Sequence, residues 1–476
     1  MPALDKSAES EDTGRWADIL QGQLGMYTLA LNLGTALFAI STFVVIAIMP
    51  TAAVDIGGLR FYAWTFALFS VGSVMGAAGT GPVREAHGHQ KTFVGAGLIF
   101  VAGLLGAGSA PNMETVVAWR LIQGIGGGAI AAQGYAMIAD IYPANLRGRA
   151  LSILSTAWGT ATVLGPAFGG AFAEFGNWRG AFYTLGGLGL VFTYLAWRVI
   201  PKSEASHGKV RFPITRLALL AGSVLGISAT TQFNDNWARA ILIVGSIFGA
   251  IIAFRRDAKA EQSLFPRQAV NLGTEMGATF WVMMLSTVTM VFINLYITLY
   301  LQKLHYVTPL VAAYIHVINS MAWSSVAFVV ASWRGRKESV AIVAGMSLLL
   351  LGLIGLALLV ESGPVWAIAA MFVVTGTGMG FINNPLIQRA IAAAPQAEKA
   401  RAGASVQTIR TVGYSFGAAL AGLVAATAGF TDDAAPEILG PAMRWVYMTG
   451  TIFPVLALVL VMLMFAHGRR RLAAET

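Results

Sequence analysis

Cysteine is absent from this 476-residue chain, and charged residues make up only 11% of it. Without cysteine the protein has no disulfides, thiolate metal sites or cysteine nucleophiles. The six histidines are scattered along the chain, and no His, Asp and Glu group suggests a metal site. These absences argue against a membrane enzyme, and we expect no cofactor and no metal ion.

Hydrophobic residues dominate the composition, at 56%. A typical soluble domain carries about 25% charged residues, so this chain has more apolar surface than one soluble core hides, and part of it must face lipid. The formal net charge of +9 does not indicate a nucleic-acid partner, because a basic excess in a membrane protein usually marks its cytoplasmic loops. The polar first 26 residues lack the pattern of a cleaved signal peptide.

Fourteen stretches are long and apolar enough to span a bilayer, which takes about 20 residues. They lie near 27–50, 59–80, 92–110, 114–139, 150–173, 179–199, 214–233, 237–254, 276–301, 309–332, 339–360, 364–388, 402–428 and 442–467. Most of the 31 Lys and Arg residues fall on the side of the N-terminus. The charge asymmetry therefore predicts a multi-pass protein of the bacterial inner membrane with both termini in the cytoplasm.

An internal repeat organises the chain. A shift of 252 residues places Gly124–Gly170 on Gly376–Gly422 without a break, with Pro143 on Pro395 and Arg149 on Arg401. The same shift maps the first six spans onto the last six. We predict an all-α membrane protein with two parallel six-helix repeats and an inserted central helix pair. The predicted parts are a tail (1–26), the first bundle (27–200), a linker with the extra helices (201–275), the second bundle (276–467) and a basic tail (468–476).

The segment after the second span reads GPVREAHGHQK from Gly81 to Lys91. It resembles the cytoplasmic loop of the major facilitator superfamily, with Glu85 where Asp is usual, followed by Gly88, and with His89 where Arg is usual. The resemblance implies a conformational switch, in which Glu85 caps the N-terminus of a facing helix by charge–dipole attraction. An ordinary solvated turn is the alternative.

The fourth and fifth spans carry two more motifs. Arg120, Gln123 and the glycines after them are similar to the superfamily's fourth-helix motif, which implies that Arg120 supports proton coupling together with Asp140 at the inner end. The alternative for Arg120 is a side chain that reaches the surface. The fifth span resembles the motif of exporters within the superfamily, a helix-packing pattern formed by Gly159, Gly165, Pro166, Gly169 and Gly170.

The whole pattern resembles the fourteen-helix drug:proton antiporters, but Ser41 stands where their first helix has an aspartate. No carboxylate lies in the middle of a predicted span, since Asp140, Glu114 and Glu174 are at span ends and the others are in loops or tails. His316 is the candidate proton site inside the bilayer. Each polar cavity candidate could instead bond a neighbouring helix. These candidates are Asn32, Ser41, Gln133, Asn294, His316, Asn319, Asn383, Asn384 and Arg410.

The sequence therefore favours a secondary transporter that exports small amphipathic or organic compounds by alternating access, with protons as the default coupling ion. The alternative is a carrier of an anionic substrate, an organic acid or a siderophore, with weak or no proton coupling, because Arg120 and Arg410 have no acid near them in the spans. A channel or receptor would need neither the repeat nor the exporter motif. The expected partners are a small-molecule substrate and the lipid bilayer, not nucleic acid.

Overall fold

The computed structural model describes residues 16–202, 214–230, 233, 235–260, 266–330, 333, 335–395, 399–430 and 436–475. Within these residues the secondary structure is helical and contains no strand. Residues 1–15 of the predicted first tail, 203–213 of the linker and Thr476 lie outside the described residues.

Sixteen α-helices follow one another in the described parts of the chain. They are α1 (Trp16–Leu20), α2 (Gly22–Asp55), α3 (Tyr62–Gly108), α4 (Met113–Ile141), α5 (Ala144–Glu174), α6 (Trp178–Val199), α7 (Ile214–Ala229), α8 (Asn236–Ala258), α9 (Glu275–Asn294), α10 (Ile297–Leu304), α11 (Pro309–Val330), α12 (Arg336–Leu359), α13 (Val365–Ala393), α14 (Lys399–Thr427), α15 (Pro436–Gly450) and α16 (Ile452–Glu475).

Within the described residues, twelve helical segments are long and apolar enough to cross a bilayer. The chain is thus a multi-pass membrane protein. The predicted spans near 150–173 and 214–233 have no counterpart among the twelve, although α5 and α7 occupy those positions. Helix α7 has only 16 residues, fewer than the ~20 that a perpendicular span needs.

Three predicted boundaries differ from the structure. The predicted loop 81–91 is helical and continues α3, except at Gly88 (φ 79°, ψ 172°), where the chain kinks. The predicted span 276–301 breaks after Asn294, whose side-chain amide donates to the Met290 carbonyl and competes with the helix ladder. The predicted span 442–467 breaks at Thr451, because Pro454 lacks an N–H and fits only the first turn of a new helix.

We call α2–α6 the N-terminal half and α9–α16 the C-terminal half. The chain crosses the bundle once per span, so α2 ends on the side opposite the kink in α3. We name these two faces of the bundle the Asp55 side and the Gly88 side. Helices α7 and α8 form a hairpin, and α7 packs against both α3 and α14, at the seam between the halves.

An ion pair between Arg216 and Asp257 joins the two helices of the hairpin on the Gly88 side. The Asp257 side chain is only 3% exposed. The sequence analysis placed this residue in a loop, which is wrong. It lies in the last turn of α8, where Arg216 neutralises its buried charge.

Candidate functional site

On the Gly88 side of the N-terminal half, four polar side chains converge beside the kink. Asp140, at the end of α4, accepts from Arg84 at 3.0 Å and lies 3.4 Å from His89 Nε2. Gln133 Nε2 donates to His89 Nδ1 at 3.0 Å. Since Nδ1 accepts, the imidazole carries its proton on Nε2, which faces Asp140. The kink at Gly88 brings His89 to α4, so residues 44 positions or more apart meet in one cluster.

The other residues of the predicted switch loop lie around this cluster. Glu85 and Lys91 are exposed, and nothing lies within 4 Å of the position where a Cβ on Gly81 would stand. The helix end that Glu85 is predicted to cap lies near Ala402–Ser405, at the start of α14. The side chains of Arg149 and Arg401, which the repeat aligns, lie outside the described residues. The switch role of Glu85 remains a prediction.

A second charged cluster occupies the Gly88 side of the C-terminal half. Arg389, near the end of α13, donates to Glu338 at 2.9 Å and lies 3.8 Å from Glu275. Its guanidinium also stands 4.9 Å from the ring centroid of Phe465. The Glu275 side chain is 8% exposed. Sequence reasoning placed Glu275 in a loop, but it is the first residue of α9 and is buried.

The two clusters use opposite charges at similar places. In the N-terminal half the fourth span, α4, carries the acid, Asp140, and the segment around the kink carries the bases. In the C-terminal half the fourth long helix, α13, carries the base, Arg389, and the acid Glu338 follows Gly335, another glycine with positive φ (60°). Gly88 and Gly335 stand in the sequence as glycines next to charged residues, but which charges pair is visible only in the structure.

Arg120 is held inside the N-terminal half, with 1% of its surface exposed. Its Nε donates to the Thr65 carbonyl at 3.3 Å, and its Nη1 donates to Oε1 of Gln123 at 2.7 Å. The guanidinium carbon lies 3.8 Å from the centroid of Phe69, in cation–π contact. The side chain therefore does not reach the surface, and a carbonyl, an amide and an aromatic ring surround its charge.

The glycines of the predicted exporter motif bring α5 close to α2. A Cβ on Gly165 would lie 2.5 Å from Phe43 Cβ, and one on Gly169 would lie 2.7 Å from the Val44 carbonyl oxygen. Only glycine allows this approach. Gly170 faces Leu310 of α11 instead, so it contacts the C-terminal half. Pro166 lies inside α5, and Gly159 faces open space.

Aromatic contacts join the two halves. Tyr62 and Tyr296 stack on the Asp55 side, with ring centroids 5.3 Å apart. Deeper in the bundle, the His316 ring lies 6.1 Å from that of Phe43. His316 is 7% exposed, and its Nδ1 is a buried atom without a hydrogen-bond partner among the described residues. His316 thus lies where movement of one half against the other would change its surroundings.

Four other predicted cavity residues bond backbone atoms. Asn32 donates to the Ile153 carbonyl and thereby joins α2 to α5. Asn319 donates to the Phe372 carbonyl and to Thr375. Ser41 is fully buried and bonds its own helix, as Asn294 does. These contacts match the structural alternative for each residue, and substrate contact by them remains a prediction.

The last three predicted residues form one chain of hydrogen bonds in the C-terminal half. Arg410 Nη1 donates to Asn383 Oδ1 at 3.1 Å, and Asn383 donates to Asn384 at 3.2 Å. Sequence reasoning missed two neighbours of Arg410. Trp323 of α11 lies 5.3 Å from it, ring centroid to Cζ, and Tyr135 of the N-terminal half interacts with its charge. Aromatic residues are common in apolar spans, so the sequence alone does not single out these two as neighbours of Arg410.

Comparison with known proteins identifies the family. The model of the Major Facilitator Superfamily matches residues 31–418, most of the chain. The chain belongs to the Major Facilitator Superfamily. The family places this protein among membrane transporters of small molecules rather than among enzymes, as the sequence analysis predicted.

Several characterised or named transporters are similar to the chain over most of its length. A probable multidrug-efflux transporter of Mycobacterium tuberculosis is 29% identical over 480 residues, which cover 97% of this chain and 99% of the relative. The riboflavin transporter RibZ of Clostridioides difficile is 23% identical over 71% of this chain and 74% of its own. A crystal structure of a POT family transporter with a thioalcohol-conjugated peptide shares the fold, with a TM-score of 0.67, 13% identity and coverage of 93% of this chain and 96% of that chain.

Proposed function

We propose that this protein is a proton-coupled exporter of small amphipathic or organic compounds in the bacterial inner membrane. The full-length similarity to a probable multidrug-efflux transporter is the observation that carries this proposal. The close α2–α5 packing through Gly165 and Gly169 supports it, because the same glycines form the motif that resembles exporters.

Fourteen spans in two parallel repeats are part of the proposal, with the domain limits predicted above. The glycine runs of the two halves make matching contacts. A Cβ on Gly124 would lie 2.1 Å from a carbonyl oxygen of α3, and one on Gly376 would lie 2.2 Å from a carbonyl oxygen of α11. Both glycines thus bring the fourth span of a half into close contact with its second span. With α5 and α7 added to the twelve candidate spans, this arrangement resembles the fourteen-helix drug:proton antiporters.

The conformation supports alternating access with the Gly88 side in the cytoplasm. Tyr62–Tyr296 and Gly170–Leu310 join the halves on the Asp55 side, while Tyr135, nearer the Gly88 side, is 47% exposed. We infer a cytoplasm-facing state. The orientation is tested by single cysteines at Val54 or Lys337, both exposed. A membrane-impermeant maleimide should label Val54→Cys from outside the cell and should not label Lys337→Cys.

Transport is tested with purified protein in liposomes under an imposed pH gradient. The probes are cationic, neutral and anionic amphipathic dyes, and protein-free liposomes are the control. We expect protein-dependent movement of at least one dye, and faster movement when protons flow the opposite way. Dye movement at the same rate with and without the pH gradient would overturn proton coupling. If none of the dyes moved faster than in protein-free liposomes, the exporter proposal would be overturned.

A further inference from the structure

Arg410 is a cation within a membrane span, at the third residue of Thr408–Thr427. It lies 11 residues after the first residue of α14, or roughly 16 Å along the helix axis. Asn383 is its hydrogen-bond partner, and none of the described carboxylates forms an ion pair with it. An unpaired charge within a span is costly and marks a ligand or ion pathway by default.

The guanidinium is held in a fixed orientation. Asn384 donates to the Ala327 carbonyl at 3.2 Å, which leaves its Oδ1 free to accept from Asn383. The Asn383 amide then has only its oxygen to offer Arg410. Of the five N–H donors of the guanidinium, this contact uses one. A ready fork of N–H groups therefore remains for a carboxylate, which binds such a fork in bidentate fashion.

A small cavity borders Arg410 and Asn383. Its apolar wall is formed by Met283, Met379, Ile382 and Leu386. The hydroxyls of Ser286 and Thr287 also line it, but both donate to the Met283 carbonyl. These hydroxyls have no proton left for a ligand, so Arg410 supplies the positive donors. The enclosed space is about that of one water molecule in this conformation, so a larger ligand would part these side chains as it binds.

Arg120, which is fully buried, lacks these properties. Arg120 is packed between Thr65, Gln123 and Phe69 and is 1% exposed. Arg120 does not line the cavity at Arg410. Arg410 instead borders a cavity and is partly exposed. Its charge interacts with Tyr135 of the opposite half, as that of Arg120 does with Tyr414. An anion at Arg410 would thus lie where the halves meet.

We propose that Arg410 binds the carboxylate of an amphipathic organic acid, whose apolar part lies against the methionine-lined wall of the adjoining cavity. This inference rests on the proposed transport function and specifies its substrate class. Asn383 acts as a positioning residue that holds the guanidinium. Trp323 lies beside Arg410, and Tyr135 of the opposite half interacts with its charge, so a bound acid would lie where the two halves meet.

Binding of 2-naphthoate and of its neutral isostere 2-naphthamide to the purified full-length protein, measured by calorimetry, tests the proposal. Wild type should bind the acid roughly tenfold more tightly than the amide, since the charged hydrogen bonds are lost with the amide. Arg410→Gln should bring that ratio to about one while amide binding stays. Arg410→Lys should keep part of the preference, because it retains the charge but not the fork.

Asn383→Asp is a second, nearly isosteric variant, which should pair with the guanidinium and also remove the preference for the acid. Arg444→Gln is the matched control, because Arg444 is an exposed arginine paired with Glu361 at 3.1 Å. An acid-to-amide ratio of one in wild type, or a preference that survives both Arg410→Gln and Asn383→Asp, would overturn the proposal. Dye transport in liposomes reports on the exporter function separately.

Discussion

Arg389 and Glu338 lie 2.9 Å apart, Nε to Oε1, and both side chains are less than one-fifth exposed. The corresponding pair of the N-terminal half, Arg84 and Asp140, has a similar separation of 3.0 Å, but the Asp140 side chain is 46% exposed. The two clusters on the Gly88 side thus differ in burial as well as in the placement of their charges. Because solvent screens exposed charges, the two ion pairs should contribute different amounts to the free energy of unfolding.

Removal of Arg389 should therefore destabilise the protein more than removal of Arg84. Arg389→Gln would leave Glu338 and the 8% exposed Glu275 without their shared cation, at a cost of about 3–5 kcal/mol. Arg84→Gln breaks an exposed pair and should cost at most about 1 kcal/mol. Thermal unfolding in detergent, followed by tryptophan fluorescence, compares them. Equal losses would show that burial does not decide the energy of these pairs.

Gly88 should be irreplaceable, whereas Gly81 of the same motif should tolerate a side chain. At φ 79° and ψ 172°, Gly88 occupies a region essentially restricted to glycine, so Gly88→Ala should cost about 1–3 kcal/mol and displace His89 from Gln133. Gly81 has helical geometry and open space around it, so Gly81→Ala is the control. Transport rate and thermal stability are the measurements. Full activity of Gly88→Ala would show that the kink is not needed.

The sequence predicted most of the spans and the close helix packing at glycines, because hydropathy and glycine spacing are local signals, but it placed residues 81–91 in a loop, whereas they continue α3 with a kink at Gly88. Gly124 and Gly165 lie in tight helix contacts, as close-approach motifs should. The charge clusters could not be predicted, since Glu275 and Arg389 are more than a hundred residues apart and nothing local pairs them. For the same reason, the carboxylate of Asp257 was assigned to a loop, although Arg216 binds it inside the bundle.

The seam between the halves should open on the Asp55 side during transport. A Cβ on Gly422 would lie 2.7 Å from Ala63 Cβ, about 1 Å closer than the Cβ atoms of a disulfide, so small shifts suffice to form one. Oxidised Ala63→Cys/Gly422→Cys should lose transport and regain it on reduction. The chain has no other cysteine, and each single variant is a control. A cross-linked protein that transports normally would show that the halves need not separate there.

His316 should be needed for proton coupling but not for substrate exchange. The described spans carry no carboxylate at mid-depth, whereas His316 is buried, contacts Phe43 of the other half and keeps an unbonded Nδ1. An imidazole ordinarily titrates near pH 6.5, so it suits a proton carrier whose surroundings change between the two conformations. His316→Gln should abolish transport driven by a pH gradient and leave gradient-independent exchange of labelled for unlabelled substrate.

His305→Gln is the matched control, since His305 is a histidine of the same half that bonds the Val360 carbonyl at 3.1 Å. Loss of both driven transport and exchange in His316→Gln would indicate a structural histidine. The remaining candidates are acids at span ends. Glu114 lies 3.5 Å from Arg60 and is half exposed, and Glu174 is exposed. Driven transport that survives His316→Gln but is lost with Glu114→Gln or Glu174→Gln would replace the histidine with a carboxylate mechanism, because the proton would then be carried at the Asp55 side.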